Sequence, residues 1–118
     1  MTEQELPKAY KEALSLLGLA RRAGILVVGQ DRMRRALRGR TSPFLLVFPD
    51  NVSKNVKCLF SGYEERGICK TYVLKGLDIT DIAAVGGLPP AQVLGLPREH
   101  GLARRLESLL DEGVDAIE

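Results

Sequence analysis

At 118 residues the chain has the length of one domain, and a chain of this size buries roughly two thirds of its unfolded surface, so one apolar core suffices without metal or disulfide staples. Apolar residues make up 45% and charged residues 27%, a globular composition that excludes disorder of the whole chain. The formal charge of +2 favours no class of partner by itself, so what matters is where the charges fall.

A first helix is predicted from residue 6 or 7 to Arg22. Leu6, Tyr10, Ala13, Leu14 and Leu17 recur at helical spacing and form one buried stripe. Pro7 suits a first turn, Arg21 and Arg22 suit the negative end of the helix dipole, and Gly24 is the stop. Ile25-Leu26-Val27-Val28 reads as a short strand ended by Gly29. A second helix then runs from Gln30 or Asp31 to Arg38 and closes at Gly39, with Met33, Ala36 and Leu37 inward and Arg32, Arg35 and Arg38 on one outer face.

Residues 44–48 are a continuous apolar run between Pro43 and Pro49, as expected of a buried central strand. Pro49-Asp50-Asn51 is turn chemistry, and Ser53 caps a third helix whose stripe is Val56, Leu59, Phe60 and Tyr63 and whose stop is Gly67. Asn51-Val52-Ser53 matches a glycosylation sequon but reads better as that turn and cap. Residues 69–74 form a third strand and residues 75–78 a loop. A short helix follows from Asp78 or Thr80 to Gly86-Gly87. Leu88-Pro89-Pro90 is an exposed turn, residues 92–96 a fourth strand, and residues 99–112 a last helix with Leu102, Leu106, Leu109 and Leu110 inward and Gly113 as its stop. Alternation of this kind predicts an α/β fold, a sheet covered by helices on both faces.

Catalytic chemistry finds little support. A hydrolytic triad needs a base held near a nucleophile, and the single histidine, His100, reads as a helix-end residue. One histidine and two distant cysteines make a poor metal set, and no glycine-rich phosphate loop is present. Asp78 and Asp81 sit where helix caps belong. Cys58 and Cys69 read as small core residues in a reducing cytoplasm. No apolar run approaches the length of a membrane span and nothing reads as a signal peptide. The expectation is a cytoplasmic protein that is not an enzyme, without cofactor, metal, membrane or small-molecule substrate.

Charge is unevenly spread. Residues 21–40 hold Arg21, Arg22, Arg32, Arg34, Arg35, Arg38 and Arg40 against Asp31 alone, a local charge of +6 that leaves −4 for the remainder. Glu107, Asp111, Glu112, Asp115 and Glu118 form an acidic tail with no basic residue after Arg105. Such asymmetry suits one face to a polyanion, although an arginine run also fits a solvated helix face. Between Val28 and Arg40 a glycine-ended strand meets a helix start lined with arginine, the residue suited to bidentate phosphate contacts.

Leu16-Leu17-Gly18-Leu19-Ala20-Arg21-Arg22-Ala23-Gly24, then Leu26-Val27-Val28-Gly29, then Arg35-Ala36-Leu37-Arg38 resembles the ribosomal-protein superfamily of L-seven-Ae and L-thirty-e, and above all its small bacterial members. The resemblance covers residues 12–112. It implies a three-layer α-β-α sandwich around a four-stranded mixed sheet with about five helices. It also implies binding to kink-turn RNA, a bent helix–internal loop–helix, in ribosomal RNA or at the ribosome. Carried over by position, the family glycine is Gly29 and the small polar residue after it is Gln30. The family asparagine falls on Asp31, its glutamate on Arg32 and its lysine on Arg35, with Arg38 beside them. Asp31 lacks the amide donor and Arg32 reverses the charge. The family's second contact, an apolar loop, falls on residues 75–79, where Lys75, Leu77 and Ile79 are the candidates. Leu77 and Ile79 could pack on an unstacked base, or Ile79 could belong to the core. The alternative function is a protein-interaction domain of the same fold.

Overall fold

A computed structural model describes residues 8–38 and 43–117, with side chains for 9–38 and 43–111. Leu6, Pro7, Gly39, Arg40 and Glu118 lie outside the described residues, as do the side chains of Glu112 and Asp115. The chain order is α1 (Lys8–Arg22), β1 (Val27–Val28), α2 (Gln30–Leu37), β2 (Phe44–Pro49), α3 (Lys54–Glu65), β3 (Cys69–Leu74), α4 (Ile79–Gly86), β4 (Leu94–Pro97) and α5 (Gly101–Ile117). The four strands form one mixed sheet in the order β1-β4-β2-β3. β4 runs antiparallel to both β1 and β2, and β2 runs parallel to β3.

The central position of β2 explains its unbroken apolar sequence. Successive side chains of a strand point to opposite faces, and both faces here are covered. Leu45 and Val47 join Leu14, Leu17, Ile82 and Leu106 in one cluster. Phe44, Leu46 and Phe48 join Met33, Leu37, Val56 and Phe60 in the other. The helices therefore form two layers, α1, α4 and α5 on one face and α2 and α3 on the other.

Most helix ends follow local chemistry. Gly24 has φ +79°, and the Ile25 amide donates back to the Ala20 carbonyl at 3.0 Å. Ser53 Oγ accepts from the Val56 amide at 3.2 Å. Asp78 and Asp81 form a reciprocal capping box on α4.

The structure corrects several expectations. β1 pairs over two residues only, Val27 with Gly95 and Val28 with Leu94; Ile25 and Leu26 precede it and pack against the α1 cluster. β4 is displaced toward Pro97, where it meets the start of β2. Leu88 is not an exposed turn residue; it is 5% exposed, folded back onto the end of α4 where its amide donates a hydrogen bond to the Ala83 carbonyl at 3.1 Å. Leu59 is 36% exposed, on the outer flank of α3. Of the two cysteines only Cys69 is buried; Cys58 is exposed. Gly113 does not stop α5, which continues to Ile117; a glycine inside a helix costs only about 1 kcal/mol.

Candidate nucleic-acid interface

The turn from β1 into α2 rests on Gly29. Its φ of 94° and ψ of 153° lie in a region open to glycine alone. The Gly29 amide donates to the Val93 carbonyl at 3.0 Å, which ties the turn to the start of β4. The Gly29 carbonyl accepts from the Met33 amide at 3.0 Å and opens the helix. No side chain caps this end.

α2 is held by Met33 and Leu37, both fully buried. Gly95 of β4 makes room for Met33. A Cβ on Gly95 would lie 2.5 Å from Met33 Sδ and 2.8 Å from Leu46 Cδ2. With Met33 and Leu37 facing the sheet, helical geometry turns Arg35 outward, with Arg32 on one flank and Arg34 and Arg38 on the other. Gln30, Asp31, Arg32, Arg34, Arg35 and Arg38 are all exposed. None of Arg32, Arg34, Arg35 and Arg38 makes a side-chain hydrogen bond or ion pair with another described residue. Asp31, one turn before Arg35, forms no ion pair with it.

Lys75, Leu77 and Ile79 lie at the same end of the sheet as Gly29, on the opposite outer strand. Val28, Leu94, Val47 and Tyr72 form one row across the four strands, and the β1–α2 turn and the loop after β3 both leave just beyond that row. The two outer strands are three spacings, about 14 Å, apart. The structure therefore puts the two segments chosen from sequence at one end of the sheet but on opposite outer strands, and it corrects what the second presents. Leu77 is 3% exposed and belongs to the core with Leu74 and Ile82, so it cannot receive a base. Ile79 is half-buried and Lys75 is exposed.

The backbone of this loop is already bonded. Asp50 Oδ2 accepts from the Gly76 amide at 3.1 Å, the Asp50 amide donates to the Leu77 carbonyl at 2.7 Å, and Asn51 Oδ1 accepts from the Ile79 amide at 3.0 Å. Gln92 Oε1 accepts from the Ser53 amide at 2.8 Å and joins the start of β4 to α3. Sequence reasoning read Asp50 and Asn51 only as a turn; their role in organising the neighbouring loop carried no local signal. Arg34 was likewise left out of the candidate set, although it is as exposed as Arg35.

Two further charge expectations change. Arg21 Nη1 donates to the Gly87 carbonyl at 3.4 Å, joining α1 to the end of α4. Glu107 and Asp111 are not a free acidic tail. Glu107 pairs with Arg98 and Lys70, and Asp111 lies 3.8 Å from Lys70 and accepts from the Tyr72 hydroxyl. His100 Nδ1 accepts from the Leu102 amide at 3.1 Å, as a helix-end residue does. Among the described residues no group of three metal-ligating side chains is present, and no helix is long and apolar enough to cross a membrane.

Neither a protein-family model nor a curated protein sequence matches the chain with significance. Among solved structures, a protein of unknown function from Bacillus halodurans matches with a TM-score of 0.70 at 24% identity, over 86% of this chain and 98% of that one. At that identity the likeness concerns the fold.

Proposed function

We propose that the protein is a non-catalytic binder of structured RNA, ribosomal or ribosome-associated, and that α2 is its contact helix. One observation carries this reading: three exposed arginines on α2 and a fourth, Arg38, at its C-terminal cap, none neutralised by another described residue. Arginine is weakly hydrated and presents a planar fork that fits phosphate. The sequence resemblance to a kink-turn-binding superfamily supports the same reading, through Gly29 and the basic position at Arg35.

The test is binding of a kink-turn RNA by fluorescence anisotropy at several salt concentrations. Neutralising three or four phosphates gives a slope of log Kd against log salt of about 3, and each lost arginine lowers it by about 1. Arg32→Ala with Arg35→Ala should weaken binding at least tenfold while leaving stability within about 0.5 kcal/mol of the parent. If the parent protein ignores RNA at low salt, the reading fails.

The second reading, a protein-interaction domain, draws on Asp31 among the arginines and on the reversed charge at Arg32. Partners recovered from lysate after complete nuclease digestion, and lost in the Arg32→Ala, Arg35→Ala variant, would favour it.

A further inference from the structure

Resting on the RNA reading above, we infer that this site grips the phosphates of double-helical RNA from one side, through α2 alone, and does not distinguish a kinked helix from a straight one. The argument begins with the aromatic side chains. Reading an unpaired base calls for an open aromatic face or a polar pocket around its edges. The chain has three phenylalanines, three tyrosines and no tryptophan. Tyr10, Phe44, Phe48 and Phe60 are buried. Tyr63 has the Arg66 guanidinium 5.4 Å from its ring centroid, and Tyr72 has the Lys70 ammonium at 5.3 Å. Four of the six rings are thus buried, and the two partly exposed ones each already carry a cation of the protein.

The loop of residues 75–79 offers no substitute. Leu77 is core, and the Gly76 and Ile79 amides, which could otherwise donate to a base or phosphate, donate to Asp50 and Asn51. The charge there also opposes RNA. Asp50 accepts from the Gly76 amide and Asp78 and Asp81 cap the helix that follows, so against Lys75, the one cation of residues 75–81, these three carboxylates leave a local charge of −2. A phosphate approaching that loop is repelled, whereas one approaching α2 meets four arginines and Asp31.

What remains is a row of guanidinium groups. Arg32 to Arg38 spans about 9 Å along the axis of α2. Such a row can follow one strand of a duplex, and phosphate contacts position a protein without reading sequence. A kink supplies extra affinity only when a protein touches both sides of it or receives its unstacked bases, and here the second contact has its leucine buried, its Gly76 and Ile79 amides bonded and a net negative charge.

The experiment compares four probes of equal length by anisotropy at low salt: a kink-turn RNA, a straight RNA duplex, a straight DNA duplex and a single-stranded RNA. Kink-turn and straight RNA duplexes are expected to bind within fivefold of each other, to weaken at least tenfold with Arg32→Ala and Arg35→Ala, and to change less than twofold with Lys75→Ala. A kink-turn preference above fivefold, or a larger loss with Lys75→Ala, overturns the one-sided site. Tighter binding of the single strand overturns the duplex assignment, and tighter binding of DNA overturns the RNA assignment. No binding of any probe is the separate failure of the RNA reading itself. Circular dichroism confirms that each variant keeps its helices.

Discussion

Arg98 grips Glu107 with two parallel bonds, Nη2 to Oε2 at 2.6 Å and Nε to Oε1 at 2.9 Å, and Lys70 Nζ completes the cluster 3.0 Å from Oε2. Glu107 thereby fastens α5 to β3 and to the segment after β4. Paired guanidinium and carboxylate groups of this geometry are stronger than single ion pairs, and the Glu107 side chain is only 17% exposed.

This cluster makes stability fall in acid. The bonds from Arg98, with Lys70 adding to them, hold the Glu107 carboxyl at about 2, below its ordinary 4.5. Below 4.5 the unfolded chain takes up a proton that the folded chain does not, so the contribution of Glu107 is present above pH 4.5 and is lost as pH falls toward 2. Lys70 acts in the opposite sense. Tyr72 and Glu107 raise it to about 12 from 10.5, so its contribution is present below pH 10.5 and is lost as pH rises through 12. With its side chain 38% exposed, that alkaline effect is small. Glu107→Gln should cost about 2 kcal/mol at pH 7, between the values for exposed and buried pairs, and should flatten the acid limb. Urea titrations at pH 7 and pH 3 measure both.

Glu64 guards the outer edge of the sheet. β3 is an end strand, and the Thr71 amide points away from β2 toward Glu64 Oε2 at 3.4 Å, while the Thr71 hydroxyl donates to the same oxygen at 2.9 Å. Unoccupied strand edges invite pairing with another chain. Glu64→Ala should raise self-association in sedimentation velocity runs, and Glu64→Gln, which keeps an acceptor, should not.

Gly29→Ala isolates backbone strain. Nothing lies within 4 Å of a Cβ placed there, but φ is +94°. The substitution should cost about 1–3 kcal/mol through the backbone alone, read from chemical denaturation. An Asn or Asp replacement should not rescue it, because ψ of 153° lies outside the left-handed helical well those residues tolerate.

Gly95→Ala isolates crowding. The new methyl group meets Met33 and Leu46, both fully buried, and should cost about 1–3 kcal/mol. On the proposed RNA reading, a shift of α2 away from the sheet should lower RNA affinity together with stability. In a double-mutant cycle with Met33→Ala the double variant should cost less than the sum of the two single penalties, because the contact is shared.

Local spacing made much of this fold legible. The repeat of Tyr10, Ala13, Leu14 and Leu17, the apolar run of β2, and the caps at Ser53 and Asp78 depend on neighbours within one or two turns, and each stands where the sequence placed it. The same spacing placed Arg32, Arg35 and Arg38 on the exposed face of α2, because Met33 and Leu37 had to face inward. Leu59 broke the rule since a stripe read at i, i+3 and i+4 is wider than the part of α3 that meets the sheet.

The loop after β3 shows where such reading stops. An apolar residue in a polar loop, Leu77, looks the same in sequence whether it meets solvent or core. Only the parallel pairing of β3 with β2 brings Asp50 and Asn51 to that loop, and their partners stand 26 and 28 residues away in the chain. The same is true of Glu107, whose bond to Lys70 crosses 37 residues and turned an acidic tail into a fastening. The sequence by itself determined which side of each helix is wet and where the arginines gather, because helical periodicity is local. The tertiary structure decided that Leu77 is buried and that the Gly76 and Ile79 amides are occupied, because that depends on packing and hydrogen bonds between distant residues, and they leave no periodic trace.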